Sequence, residues 1–343
     1  MTNSALVISG GGCKGAFAVG VVKYIHEHLP EVDHHIFIGT STGSLIAPLV
    51  AIGELAQVEH IYTTVTTPDI ITKGNVVSRL LGSTSLFDAR PLAQLIDRTW
   101  TADRFEKLMS SDKLVHVTTV CMQTGEITYW GNHDAPGLGK FTVHKVRDRD
   151  EWIRAVMASA CQPVFMPPIE LRSTAAAPRQ YFDGGLREYL PIEIAIALDA
   201  TEIHAIALSP ADEAPVNVRY TNAYGILEET IDRFSDDVGL NDVRIPLLIN
   251  SALHRIAEAK RRLKEKGVSP RIINAAFKPA PDDPFQDKDE LAIHIIRPEA
   301  SLGGGPGGLD FDPAAMRVMR DKGYARAEAY FSAPPPTDPF AIA

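Results

Sequence analysis

Short apolar runs alternate with longer amphipathic stretches at the start of the chain. Residues 5–8 form a continuous apolar run that ends at glycines, which predicts a strand buried on both faces. Residues 16–29 then place apolar side chains four positions apart, which predicts a helix ended by Pro30. The pair repeats at 36–38 and 42–52. Strand, helix, strand and helix in this order predict an α/β fold with a mainly parallel central sheet.

The rest of the chain continues this alternation without an internal repeat. Segment 301–308 is rich in glycine, which predicts a flexible loop before the last helix. No clean linker divides the chain, so we predict one α/β domain over residues 1–331. The proline-rich segment 332–343 predicts a loose tail. Further strands are predicted at 114–122, 127–130, 203–208 and 293–296, and further helices from residue 91 onward, at 227–266 and at 313–331.

Composition and charge narrow the classes of function. The chain of 343 residues carries a formal net charge of −9, which argues against nucleic acid as a partner because phosphate binding needs a basic face. Cys13, Cys121 and Cys161 are too few and too scattered for a disulfide framework or a paired-cysteine metal site. No apolar run is long enough to span a membrane, and the first residues lack the pattern of a signal peptide. These features predict a cytoplasmic protein.

A serine lies in a G-x-S-x-G motif between the second predicted strand and the helix that follows it. That context is the one a nucleophile elbow requires, in which a sharp turn lifts the hydroxyl of Ser41 above the edge of the sheet. Glycines on both sides leave room where a β-carbon would collide with the neighbouring chain. Pro48, inside the helix, predicts either a kink or a start displaced by one turn. The motif comprises Gly39, Thr40, Ser41, Thr42 and Gly43.

A glycine-rich loop joins the first predicted strand to the first helix. Its spacing satisfies a dinucleotide fingerprint, but that interpretation expects an acidic residue at the end of the second strand, where Gly39 stands instead. The alternative is an oxyanion hole, in which main-chain N–H groups near Gly11, Gly12 and Cys13 face the carbonyl attacked by Ser41. Both features follow the carboxyl ends of strands, where sites form in parallel sheets. The loop comprises Gly10, Gly11, Gly12, Cys13, Lys14 and Gly15.

A nucleophilic serine needs a base, and the residues alone leave its identity open. None of the eleven histidines lies in a recognisable catalytic setting. Asp183 ends a short apolar segment and is followed by Gly184 and Gly185, which permit a tight turn. An Asp-Gly pair is by itself most often a turn.

The three motifs, in this order, resemble those of the patatin-like phospholipase family. The resemblance is carried by the glycine loop at 10–15, the elbow at 39–43 and Asp183-Gly184-Gly185, with weaker matches at 158–167 and 309–313. It spans nearly the whole chain. The resemblance implies a three-layer α/β/α fold and a Ser41–Asp183 dyad without histidine. It also implies hydrolysis of acyl esters of glycerolipids through an acyl-enzyme, with no metal or cofactor required.

The partners and the alternative functions follow from the same features. The resemblance implies a phospholipid or other acyl ester as substrate and peripheral contact with a membrane. A basic stretch at 254–266 is either a lipid-facing surface or, because Glu258 and Glu265 are interleaved, an ordinary solvated face. The alternative functions are a catalytically silent lipid-binding or membrane-associating module, and a nucleotide-binding protein that uses the glycine loop.

Overall fold

The computed structural model describes residues 3–73, 83–135, 141–172, 177–212, 219–278, 285 and 288–333. Within them, nine strands form one sheet in which β11, β10, β1, β2, β5, β6 and β7 follow one another, β9 pairs with β5 and β8 pairs with β9. Strands β3 and β4 form a separate pair. The strands are β1 (Ser4–Ile8), β2 (His34–Thr40), β3 (Thr72–Lys73), β4 (Phe87–Asp88), β5 (Leu114–Cys121), β6 (Ile127–Gly131), β7 (Thr142–Lys145), β8 (Ile169–Leu171), β9 (Arg179–Asp183), β10 (Glu202–Ile206) and β11 (Ala292–Ile296).

Helices flank the sheet, and the described residues also include short 3₁₀ turns. The 3₁₀ turns are Gly12–Lys14, Gly184–Leu186 and Pro306–Gly308. The helices are α1 (Gly15–His28), α2 (Thr42–Ala51), α3 (Leu55–Thr64), α4 (Thr67–Ile70), α5 (Arg90–Thr99), α6 (Ala102–Met109), α7 (Arg149–Ala160), α8 (Ile192–Ala197), α9 (Ala223–Glu265), α10 (Pro270–Ala276) and α11 (Pro313–Ser332).

The centre of the sheet is parallel, as the sequence predicts. Strands β11, β10, β1, β2 and β5 all run in one direction. The predicted strands at 114–122, 127–130, 203–208 and 293–296 are present, with ends that differ by a few residues. Strands β6 and β9 are antiparallel to β5, which makes the sheet mixed at that side.

Alternate residues of the central strands feed two separate cores, and this gives the fold three layers. Leu6 and Ile8 of β1 belong to one apolar cluster, together with side chains of α1, α2, α5 and α7. Ala5 and Val7 belong to a second cluster on the opposite face, together with side chains of α8 and α9. Because successive side chains of a strand point to opposite faces, a strand covered on both sides must be apolar throughout. The three-layer α/β/α prediction is confirmed.

Helices α1 and α11 approach each other closely enough to exclude side chains from their crossing. A β-carbon on Gly20 would lie 1.9 Å from the carbonyl oxygen of Arg320. A β-carbon on Gly323 would lie 2.0 Å from the carbonyl oxygen of Phe17. Glycine at both positions therefore lets the last helix cover the first, and it closes the layer on this face of the sheet.

Helix α2 corrects one expectation. It begins at Thr42, directly after Ser41, and contains Pro48 in its interior. The prediction of a start displaced by one turn was wrong. The start is fixed because the Ser41 carbonyl accepts hydrogen bonds from the backbone N–H of Ser44 at 2.9 Å and from its hydroxyl at 2.5 Å.

Three other predictions concern the tail, the number of domains and a membrane span. The tail at 332–343 lies outside the described residues, except for 332 and 333. The single domain over 1–331 stays a prediction. Among the helices described, none combines the length and the apolar character that a membrane span requires.

Candidate active site

Strand β5 brings the two candidate catalytic residues together. One edge of β5 pairs with β6, and the other edge pairs in parallel with β2 as far as Thr40 opposite Thr118. At the next position, Thr119 pairs with Asp183, the last residue of the antiparallel strand β9. Strands β2 and β9 therefore run toward each other along the same edge of β5. Ser41, which follows Thr40, and Asp183 meet where these two strands end.

Ser41 occupies the strained turn that the motif predicts. Its φ of 55° and ψ of −119° lie outside the conformations that non-glycine residues ordinarily adopt. A β-carbon on Gly39 would lie 2.1 Å from the carbonyl oxygen of Gly43, and one on Gly43 would lie 2.2 Å from that of Ile8. Both glycines are required by these close approaches. The side chain of Thr42 turns away from the serine and hydrogen-bonds the hydroxyl of Tyr62.

The carboxyl end of α7 holds both residues. The hydroxyl of Ser159 accepts a hydrogen bond from the backbone N–H of Ser41 at 3.1 Å. Two residues later, the carbonyl of Cys161 accepts one from the N–H of Asp183 at 3.0 Å. Ser159 and Cys161 are fully buried. Their segment fixes the separation of the serine and the aspartate, and it lies within the weaker match at 158–167 noted in the sequence.

Asp183 is buried beside the serine. Burial raises the pKa of its carboxyl group to about 6, while the nearby Ser41 side chain and a hydrogen bond from the Gly185 backbone N–H oppose that rise. The bond from Gly185 is 2.8 Å long. The raised pKa makes Asp183 a stronger base than an exposed aspartate, yet leaves it ionised at neutral pH.

The two glycines after Asp183 are needed for space. They form a 3₁₀ turn without a positive φ. A β-carbon on Gly184 would lie 2.7 Å from the carbonyl oxygen of Thr118, and one on Gly185 would lie 3.0 Å from the ring of Tyr189. The turn therefore packs closely against Thr118 of β5 and the ring of Tyr189.

The glycine loop presents unused N–H groups beside the serine. Gly11 and Gly12 have φ values of 147° and 58°, which favour glycine. The N–H groups of Gly10, Lys14 and Gly15 are bonded to the carbonyl groups of Tyr189, Gly11 and, for Gly15, of the loop itself.

Three N–H groups of the loop remain. Within the described part of the chain, those of Gly11, Gly12 and Cys13 have no acceptor. Gly11 and Gly12 line the same cavity as Ser41. These are the three amides that the oxyanion interpretation names. The side chain of Cys13 is buried, and its thiol lies 3.8 Å from the Gly304 carbonyl oxygen, so it acts as a filler.

The glycine-rich segment 301–308 supports that loop, a role that sequence reasoning missed. A β-carbon on Gly12 would lie 2.2 Å from the carbonyl oxygen of Gly308. The N–H of Gly307 donates to the carboxylate of Asp232 on α9 at 3.1 Å. Two glycine-rich segments at opposite ends of a chain can pack backbone against backbone. Their composition was the only signal, and it does not reveal the pairing.

Helix α9 supports the other side of the site, which the sequence also did not indicate. The carboxylate of Asp242 accepts hydrogen bonds from the backbone N–H groups of Tyr189 at 2.6 Å and Leu190 at 2.9 Å. These bonds hold the ring of Tyr189 beside Gly10 and Gly185. Burial raises the pKa of Asp242 to about 7.

A cavity of about 520 Å³ opens from Ser41 and Asp183, a size typical of small-molecule sites. Part of its lining is apolar and comes largely from α2, α3 and α5. The rest includes Lys14 and polar side chains of α9. None of the described residues that line it is a histidine. The apolar lining residues include Leu45, Leu49, Val58, Ile61, Tyr62, Val65, Ile70, Leu92, Leu95, Ile96, Trp100 and Met166.

The family of the chain follows from a comparison of its sequence with known families. The sequence model of the patatin-like phospholipases matches residues 6–196. The chain belongs to the patatin-like phospholipase family. The matched region contains the glycine loop, the elbow at 39–43 and Asp183-Gly184-Gly185, so the resemblance inferred from these motifs is confirmed.

Individual relatives match this patatin-like chain over shorter stretches or at lower identity. A cUMP-AMP-activated phospholipase of Escherichia coli is 42% identical over 62 residues, which are 17% of this chain and 19% of that protein. The crystal structure of VipD from Legionella pneumophila is similar over 96% of this chain and 67% of that chain, at 12% identity and a TM-score of 0.45.

The contact between Gly12 and Gly308 generates a prediction. We expect Gly12→Ala to lower kcat for a p-nitrophenyl ester by about 100-fold or more, because the new β-carbon pushes the loop and its free N–H groups away from Ser41. Gly267→Ala is the matched control: its φ is also positive, at 81°, but nothing lies within 4 Å of its β-carbon position. Equal losses in the two variants would contradict the role of the loop.

Proposed function

We propose that this chain is a serine acyl hydrolase that cleaves lipid esters, as a phospholipase of the A type or an esterase. The observation that carries the proposal is the placement of the Ser41 side chain beside the buried carboxyl group of Asp183, where both residues line one largely apolar cavity. A hydroxyl beside a base of raised pKa is the arrangement that nucleophilic catalysis needs. Membership of the family supports lipid esters as the substrate class.

In the first half-reaction the oxygen of Ser41 forms a bond to the carbonyl carbon of the ester. The hydroxyl proton moves to the carboxylate of Asp183, and the carbonyl oxygen becomes an oxyanion. The free N–H groups of Gly11, Gly12 and Cys13 are the donors we assign to that oxyanion. Collapse of the intermediate breaks the bond to the alcohol oxygen, which takes the proton from Asp183 and leaves an acyl group on Ser41.

In the second half-reaction water replaces the alcohol. Asp183, again ionised, takes a proton from water as the water oxygen bonds to the acyl carbon. The bond to the Ser41 oxygen then breaks, and the proton returns to it. Direct proton transfer to a carboxylate requires no histidine, which agrees with the absence of histidine from the described cavity lining.

The apolar wall of the cavity suits an acyl chain. Burial of each methylene group contributes about 0.8 kcal/mol, so a chain of several carbons binds there through its length alone. The nucleotide-binding alternative has less support, since a nucleotide would place charged groups against this wall. A catalytically silent module would have no need for the strained turn at Ser41, which costs about 1–3 kcal/mol.

Contact with a membrane surface is the second part of the proposal. Three exposed apolar side chains lie on or beside segments that line the cavity: Val164, Leu186 and Phe234. Phe234 on α9 is 70% exposed, between Arg233 and Ser235 of the lining. Apolar side chains in such positions enter the lipid interface, where their burial stabilises the bound state.

The basic stretch at 254–266 offers less support for membrane contact. Glu258 hydrogen-bonds Arg262 at 2.5 Å, and Glu265 bonds Arg261 at 3.3 Å. Paired in this way, the stretch is better described as a solvated face. A cytoplasmic location stays a prediction.

Removal of the nucleophile tests the proposed function. We expect Ser41→Ala to lower hydrolysis of p-nitrophenyl butyrate and of phosphatidylcholine by at least about 1000-fold, because the covalent route is lost. A fluorophosphonate probe should label the wild-type protein and not the variant. Ser110→Ala is the matched control, since Ser110 is an exposed serine directly after α6 that does not line the cavity. Retained hydrolysis in a folded Ser41→Ala protein would overturn the assignment.

The pKa of Asp183 predicts the pH dependence. Only the ionised carboxylate accepts the proton, so kcat/KM should be constant above about pH 7 and fall tenfold per pH unit below about pH 6. Rates measured from pH 4.5 to 8, with circular dichroism at each pH to confirm folding, give the midpoint. A midpoint near 4, the value of an exposed aspartate, would show that burial of Asp183 does not control the rate.

Phe234 tests the membrane contact separately from the chemistry. We expect Phe234→Glu to lower hydrolysis of phosphatidylcholine vesicles and sedimentation with them by about tenfold, because a charged side chain resists burial in the interface. Hydrolysis of soluble p-nitrophenyl butyrate should stay unchanged. Leu248→Glu is the matched control, since Leu248 is 67% exposed on the same helix but does not line the cavity. Equal effects of both substitutions would remove Phe234 from the membrane contact.

A further inference from the structure

Three potential metal ligands lie together on the neighbouring strands β10 and β11, away from Ser41. Glu202 and His204 are two residues apart on β10, so their side chains share one face. His294 lies opposite His204 on the neighbouring strand β11. Ser41 and the glycine loop follow the carboxyl ends of the parallel strands, whereas Glu202 is the first residue of its strand. The cluster is therefore separate from the cavity described above, and none of its residues lines that cavity.

The ligand atoms of these three side chains lie close enough to share one ion. One carboxylate oxygen and one ring nitrogen of each histidine all lie within 4.8 Å of one another. The Nε2 atom of His294 is 3.4 Å from Oε1 of Glu202. The rings of His204 and His294 are stacked, with centroids 4.8 Å apart. Around a tetrahedral zinc ion, ligand atoms lie about 3.4 Å apart, so the longest separation must shorten by roughly 1.4 Å.

Two of the three side chains can move by that distance. Glu202 and His294 are about one-third exposed, at 30% and 32%, and can rotate toward the ion. The same exposure gives an ion a path from solvent. His204 is buried and provides the fixed ligand.

The second nitrogen of each histidine already has a partner that would orient it. Nδ1 of His204 lies 3.1 Å from Nε2 of His34 on β2, and Nδ1 of His294 lies 3.2 Å from the hydroxyl of Tyr330 on α11. With Nδ1 of each ring protonated and donating to these partners, Nε2 would carry the lone pair that a metal ion needs. Metal-binding histidines in proteins almost always have such an outer partner on the other nitrogen.

We propose that Glu202, His204 and His294 bind one divalent transition-metal ion of the zinc class. Two imidazoles and a carboxylate are ligands that zinc accepts, and a water molecule would complete a tetrahedral shell. Among the described strands, β11 pairs with β10 alone. The ion would add a second link between these two strands. Through His34 and Tyr330 it would also hold the amino end of β2 and the carboxyl end of α11. Its role is structural and independent of the proposed ester hydrolysis.

Zinc binding to the full chain tests the proposal. The protein, without an affinity tag, is stripped with a chelator and titrated with ZnCl₂ by calorimetry, and the bound metal is counted by mass spectrometry. We expect one zinc ion per chain, and a rise in the thermal midpoint of unfolding that grows with zinc concentration. Co²⁺ in place of zinc should give the visible absorption of a tetrahedral nitrogen and oxygen site.

Variants locate the ion. His294→Ala and Glu202→Gln should weaken zinc binding at least about 100-fold, and Tyr330→Phe, which removes only an outer partner, about tenfold or more. His60→Ala, an exposed histidine on α3, is the matched control and should bind like the wild type. If a ligand variant fails to fold, the wild type, Tyr330→Phe and His60→Ala still decide the question.

Two results would overturn the proposed metal site. One is the absence of zinc binding above background in the wild-type protein, and the other is equal zinc binding by the wild type and His294→Ala. Ester hydrolysis by the stripped protein should match that of the zinc-loaded protein. This readout separates failure of the metal site from failure of the proposed function, since each can occur without the other.

Discussion

The shared edge of β5 is the constraint on which the candidate site depends. Strand β2 occupies that edge up to Thr118 and β9 begins to occupy it at Thr119, so the ends of two strands that run in opposite directions meet. A slip of one residue in either register would move a strand by about 3.3 Å and turn its side chains to the opposite face. Ser41 and Asp183 lie side by side because both registers hold at once. The end of α7 secures the junction, since Ser159 bonds one strand end and Cys161 the other.

Close backbone contacts, more than side-chain packing, shape the surroundings of the serine. Gly39 and Gly43 allow the elbow to fold against the end of β1, and Gly12 lies against Gly308 where a side chain would not fit. These contacts hold Ser41 in a conformation that costs about 1–3 kcal/mol and leave main-chain N–H groups free beside it. Rigid backbone suits that purpose because its donors need little rearrangement when charge develops on a substrate.

Burial has two effects in the same cavity. The apolar wall that suits an acyl chain also removes water from Asp183, and this raises the pKa of its carboxyl group to about 6. A carboxylate exposed to water is too weak a base for a serine hydroxyl, so a site without histidine depends on this environment. In the proposed mechanism, substrate binding and the strength of the base have one physical cause.

The sequence by itself determined the parallel α/β architecture, the elbow at Ser41 and the glycine loop, because each depends on local rules of periodicity and backbone space. It placed Asp183 in a turn, but from the residues alone the base stayed open, and only the resemblance to a family named it. The tertiary structure decided what joins distant segments: the registers along β5, the support of Gly12 by Gly308, the hold of Asp242 on Tyr189, and the group formed by Glu202, His204 and His294. Those contacts link residues far apart in the chain, and no local pattern records which strand edges and helix ends will meet.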